Sequence, residues 1–115
     1  MIKTTLYALA LLASVAVVGS PSVYADSVTL PECAVNAAQA SDVEMALYQA
    51  LMRNELGDPP RAAPCTFYER SAAVLASSLE SQNGDRWAAV SLYLHGQVMP
   101  DDPVVKRVRA FYESK

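Results

Sequence analysis

The chain has 115 residues, two cysteines, one histidine and a net charge of −3. That length holds a single domain once any leader is removed, and the acidic balance speaks against nucleic acid as a partner. One histidine, with no Cys-x-x-Cys spacing, gives no zinc site.

The chain opens with Met1-Ile2-Lys3, a short basic start. An apolar run from Leu6 to Val18 follows, broken only by Ser14. Pro21 then ends any helix, and Val23 and Ala25 place small side chains where a signal peptidase accepts them. A signal peptide is predicted over 1–25, cleaved between Ala25 and Asp26. One mature domain over 26–115 would then work in the periplasm or outside the cell. The run is shorter than the ~20 apolar residues of a spanning helix, so no stable membrane span is expected after cleavage. Export puts Cys33 and Cys65 in an oxidising compartment, where a disulfide is the expectation.

The mature chain reads as all-α, a small antiparallel helical bundle of three to five helices with one disulfide. Thr29-Leu30-Pro31-Glu32 has the form of a capping box that opens a short Ala-rich helix over about 30–40. Ser41-Asp42-Val43-Glu44 reads as a second box, with a helix running to about Leu56; the two segments could also form one bent helix. Val43, Leu47, Ala50 and Leu51 make one stripe there, and Met45, Tyr48, Met52 and Leu56 lie beside it. Gly57 and Pro59-Pro60 stop that helix.

A further helix is expected from Pro64 to about Gln82, with Tyr68, Ala72, Leu75 and Leu79 at helical spacing and Asn83-Gly84 as its end. Asp85 would cap a helix from Arg86 to about Val98. Asp101-Asp102-Pro103 would cap the last one, which carries Val104, Val105, Val108, Phe111 and Tyr112. No stretch alternates as a strand bounded by hairpin turns would.

Charge is unevenly spread. Residues 26–102 hold four arginines against eleven acids, a net −7, whereas 103–115 carries Lys106, Arg107, Arg109 and Lys115 against Glu113, a net +3. A basic last helix on an acidic body suits an acidic partner surface, or is simply a solvated face.

Two segments echo each other. Phe67-Tyr68-Glu69-Arg70-Ser71 recurs in outline as Phe111-Tyr112-Glu113-Ser114-Lys115. Residues 88–115 further show Leu92-Tyr93-Leu94-His95-Gly96, then Pro100-Asp101-Asp102, then Phe111-Tyr112. This stretch resembles the Sel-like branch of the tetratricopeptide-type helical repeats. The resemblance implies paired antiparallel helices and a concave face that binds a peptide or protein. The alternative is that both aromatic pairs are core residues of an ordinary bundle.

Constellations for catalysis are sparse. His95 has no nucleophile-elbow serine to serve, catalytic cysteine would sacrifice the disulfide, and the glycines form no phosphate-cradling loop. No catalytic residue, metal ligand or cofactor is therefore assigned. The aromatics are the better lead, since Tyr48, Tyr68, Trp87, Tyr93 and Tyr112 are many for so short a chain and those left at the surface suit an interface. The expected function is an exported protein-binding, adaptor or accessory protein. Its anchors would be Tyr93 and Tyr112, with Arg107 and Arg109 guiding association. A periplasmic stress chaperone is the alternative, similar in size, export, helicity and disulfide to the acid-stress chaperones of the bacterial periplasm. A hydrolytic enzyme comes third.

Overall fold

A computed structural model describes residues 30–99 and 101–114; the leader and its cleavage point lie outside them. Five helices form among the described residues, and no strand: α1 (Glu32–Ala40), α2 (Met45–Leu56), α3 (Cys65–Ser81), α4 (Arg86–His95) and α5 (Pro103–Glu113). Helix α1 packs along α3, α3 along α4, and α2 along α5. The antiparallel bundle expected from periodicity is the architecture observed.

The core is shared between α2 and α3. Leu47, Tyr48, Leu51 and Met52 of α2 and Tyr68, Ala72 and Leu75 of α3 are buried, joined by Val90 of α4 and Val105 and Val108 of α5. Helix α1 contributes Ala34, Ala37 and Ala38, all buried, below Leu30. Small side chains let two helices approach closely, and Ala72 presents another on α3. The Cys33–Cys65 disulfide, with its Cα atoms 5.7 Å apart, clamps the first turn of α1 to the first residue of α3.

The helix ends correct two of the expected starts. Ser41-Asp42-Val43-Glu44 does not open α2. It closes α1 through a Schellman motif: Asp42 sits at φ 58, its N–H reaches the Gln39 carbonyl at 3.0 Å, and the Val43 N–H reaches the Ala38 carbonyl at 2.9 Å. Orphan carbonyls at the end of α1 take the residues that would otherwise have capped α2. Helix α2 therefore begins after Glu44 without a side-chain cap, and the two segments are separate helices. At α1 the residue before the helix is Pro31, which offers no side-chain cap, and Thr29 of the expected box lies outside the described residues.

Helix α3 ends in the same motif, as Asn83-Gly84 suggested. Asn83 stands at φ 55, and the N–H groups of Asn83 and Gly84 reach the carbonyls of Glu80 and Leu79. Helix α4 stops three residues before the expected Val98. Gly96 turns left-handed at φ 74 directly after His95, and the chain beyond it is held by the Ser91 hydroxyl of α4.

Candidate interaction surface

Both helices of the α4–α5 hairpin start on aspartate. Asp85 accepts from the Ala88 N–H at 3.1 Å, and Asp102 accepts from Val104 and Val105 at 2.9 and 3.0 Å, with Pro103 in the first turn of α5. Asp102 is only 8 % exposed and also meets His95 Nε2 at 3.0 Å. The hydrogen bond from His95, foremost, and those from the Val105 and Val104 N–H groups hold its carboxyl below the usual aspartate range, against the opposing effect of desolvation.

Between these points Ser91 organises the connecting loop. Its hydroxyl donates to the Gln97 carbonyl at 2.9 Å and accepts from the Met99 N–H at 2.7 Å. His95 and Asp102 thus form a clasp across the loop, and Ser91, one turn before His95, has its hydroxyl occupied by backbone. Val98 and Met99 are exposed on this loop and, with Trp87, Ala88 and Val105, line a cleft of about 310 Å³.

A second cluster forms where α4 begins, α5 ends and α2 starts. Trp87 and Tyr112 meet edge to face with ring centroids 5.4 Å apart. The Tyr112 hydroxyl donates to Glu44 Oε2 at 2.7 Å, and Arg86 reaches Glu44 Oε1 at 3.3 Å. Arg86 lies 4.8 Å from the Tyr112 ring centroid, and Arg109 lies 5.6 Å from that of Trp87 while pairing with Glu113. Arginine over an aromatic face is favourable, by about 0.5–1 kcal/mol where exposed. Hydrogen bonding to Glu44 pushes the Tyr112 phenol above its ordinary value. Nearby, Arg53 of α2 covers Phe111 at 4.2 Å and pairs with Asp58 at 2.6 Å.

Of the residues singled out from sequence, the structure groups Tyr112 with Arg109 through Trp87. Arg107 is exposed on the same helix. Tyr93 has different neighbours. It is half-buried beside Glu55 of α2 and Phe67, Arg70, Ser71 and Val74 of α3, in a cleft of about 290 Å³. Burial, followed by the charge of Glu55, drives its phenol well above the ordinary tyrosine value. Tyr48 and Tyr68 are wholly buried and leave the list of surface candidates. Sequence reasoning passed over Glu44, Arg86 and Ser91. The adjacent pair Arg86-Trp87, directly after a cap, was a usable signal for the second of these. So was a serine within an otherwise apolar helix face for the third.

No family model, curated protein or solved structure matches the chain. The cluster's chemistry is therefore read from its own residues. Among the described residues no three histidine, cysteine or carboxylate side chains converge as a metal site, and no helix is long and apolar enough to cross a membrane.

Proposed function

We propose that this is an exported helical adaptor or accessory protein, not an enzyme, that binds another protein through α4 and α5. The Trp87–Tyr112 pair carries the reading. Two large rings are held half-exposed, edge to face, with arginines stacked on them and the Tyr112 hydroxyl fixed by Glu44. Aromatic and arginine side chains dominate binding hot spots, and rings already immobilised lose less entropy on association. The disulfide suits an exported protein. The Sel-like resemblance of 88–115 supports a protein-binding role for the same hairpin. Lys106, Arg107 and Arg109 favour a partner with an acidic face.

The test is capture of the partner from the exported fraction of the native host, followed by titration of variants. Trp87→Ala and Tyr112→Ala should each weaken binding roughly tenfold while helical circular dichroism is retained. Reversing Arg107 and Arg109 to glutamate should chiefly slow association and change its salt dependence. Undiminished affinity in folded Trp87→Ala and Tyr112→Ala proteins would place the binding face elsewhere.

A second reading, the stress chaperone, draws on the His95–Asp102 clasp. A carboxyl depressed by the fold stabilises it above the unfolded pKa of about 3.9 and loses that contribution as pH falls through the lower folded value. Acidification below about pH 4 should therefore loosen the α4–α5 loop, which carries exposed Val98 and Met99. Dye binding to apolar surface should rise over that range, and Asp102→Asn should show the rise already at neutral pH. A chaperone would then suppress aggregation of unrelated proteins at pH 3, whereas an adaptor would not.

A further inference from the structure

A cleft opens between α2, α3 and α4. Its lining residues are Glu55, Phe67, Arg70, Ser71, Val74 and Tyr93. Val74 is 43 % exposed, one of few large apolar side chains so placed among the described residues. Phe67 and Tyr93 are half-buried beside it and leave ring surface facing the opening. The cleft also holds one charge of each sign, and no ion pair joins Glu55 to Arg70; the ion pairs among the described residues lie elsewhere. Ser71 adds little that is free, because its hydroxyl serves Tyr48 and the Tyr68 carbonyl.

Two opposite charges over an apolar floor, unpaired with each other, complement a ligand that carries both charges and an apolar body. The volume of about 290 Å³ lies at the lower bound of small-molecule pockets, ~300 Å³. That volume suits one or two amino-acid residues. The geometry points to this cleft as a binding site for an apolar amino-acid zwitterion, free or as a short peptide. Its ammonium would lie against Glu55, its carboxylate against Arg70 and its side chain over Phe67, Val74 and Tyr93. The partner surface at Trp87 and Tyr112 has other neighbours, so this site stands apart from the proposed adaptor role.

Burial raises the Glu55 carboxyl above the ordinary range, an effect that the neighbouring Asn54 and Tyr93 side chains partly offset. An ammonium placed beside it favours the ionised form. Binding should then release a proton and strengthen as pH rises through the Glu55 titration.

The exported protein would be titrated calorimetrically with L-phenylalanine, the dipeptide leucyl-phenylalanine, N-acetylphenylalanine and phenylalanine amide. At least one zwitterion should bind saturably at millimolar concentration or below, and each blocked form should bind at least tenfold more weakly. Tighter binding of the dipeptide assigns the site to short peptides, and tighter binding of phenylalanine assigns it to the free amino acid. Glu55→Gln should remove both the discrimination against the acetylated form and the pH dependence. Arg70→Met should remove the discrimination against the amide. Both side chains reach solvent, so folding should survive, which circular dichroism checks; Glu80→Gln, at an exposed position outside the cleft, should leave the titrations unchanged. Absence of saturable binding by both zwitterions, or equal binding of the blocked forms, overturns the assignment.

Discussion

Replacing both Cys33 and Cys65 by alanine should lower the unfolding free energy by roughly 3–4 kcal/mol. The disulfide spans 32 residues of sequence, and a closed loop of that size restricts the unfolded ensemble appreciably. Small domains hold only about 5–15 kcal/mol in total, so the loss is a large fraction. The effect should also be local. Helix α1 buries Ala34, Ala37 and Ala38, all small, beside the larger Leu30. Each alanine removes little apolar area from water at about 25 cal/mol per Å², so α1 depends on the bridge more than α2 does. Hydrogen exchange should show α1 opening first in the double variant, with α2 and α3 still protected. A denaturation midpoint equal to that of the parent protein would count against the bridge as a stabiliser. Uniform loss of protection would mean that α1 is integral to the core.

Much of this architecture was legible because helix spacing and stop signals are local. The Val43, Leu47, Ala50 and Leu51 stripe is buried as the 3.6-residue period requires. Gly57, Asn83-Gly84 and Asp102-Pro103 stand at the helix boundaries. The misread points have different causes. Serine and aspartate serve both ends of a helix, and at Ser41-Asp42 the choice was made by the Val43 N–H reaching back to Ala38, which no residue pattern announces. Helix α4 was drawn too long because Val98 continues the apolar pattern. The bonds from Ser91 to Gln97 and Met99 override it. The surface cluster was less legible still. Glu44 and Tyr112 lie 68 residues apart and meet only because α2 packs on α5. Tyr93 and Tyr112 looked equivalent as surface aromatics; their surroundings separate them, one against Glu55 and α3, the other against Trp87 and Glu44.

Tyr48 and Tyr68 show how far burial alone falls short of predicting a mutation. Both are 0 % exposed. Truncating Tyr48 to alanine should cost about 3–5 kcal/mol, as removal of a large buried ring does, and should approach complete unfolding. The hydroxyl is a smaller and separable part. It donates to the Tyr68 carbonyl at 3.1 Å and lies 2.8 Å from Ser71 Oγ, and burial raises its pKa. Tyr48→Phe should therefore cost roughly 0.5–1.5 kcal/mol. The cost stays modest because Ser71 keeps its own bond to the Tyr68 carbonyl. Tyr68 should behave in the opposite sense. Its hydroxyl is buried without a hydrogen-bond partner among the described residues, and an unsatisfied buried polar group costs about 1–3 kcal/mol. Tyr68→Phe deletes that group while leaving the ring, which packs edge to face on Phe67 at 5.6 Å. The variant should be as stable as the parent protein or more so. Urea denaturation of the three variants decides the matter through the ordering of midpoints: Tyr68→Phe at or above the parent, Tyr48→Phe below it, Tyr48→Ala lowest by a wide margin. A loss in Tyr68→Phe equal to that in Tyr48→Phe would show that the Tyr68 hydroxyl is bonded after all. A loss of under about 1 kcal/mol in Tyr48→Ala would mean that its ring does not hold α2 to α3, because no large ring leaves a packed core at so small a cost.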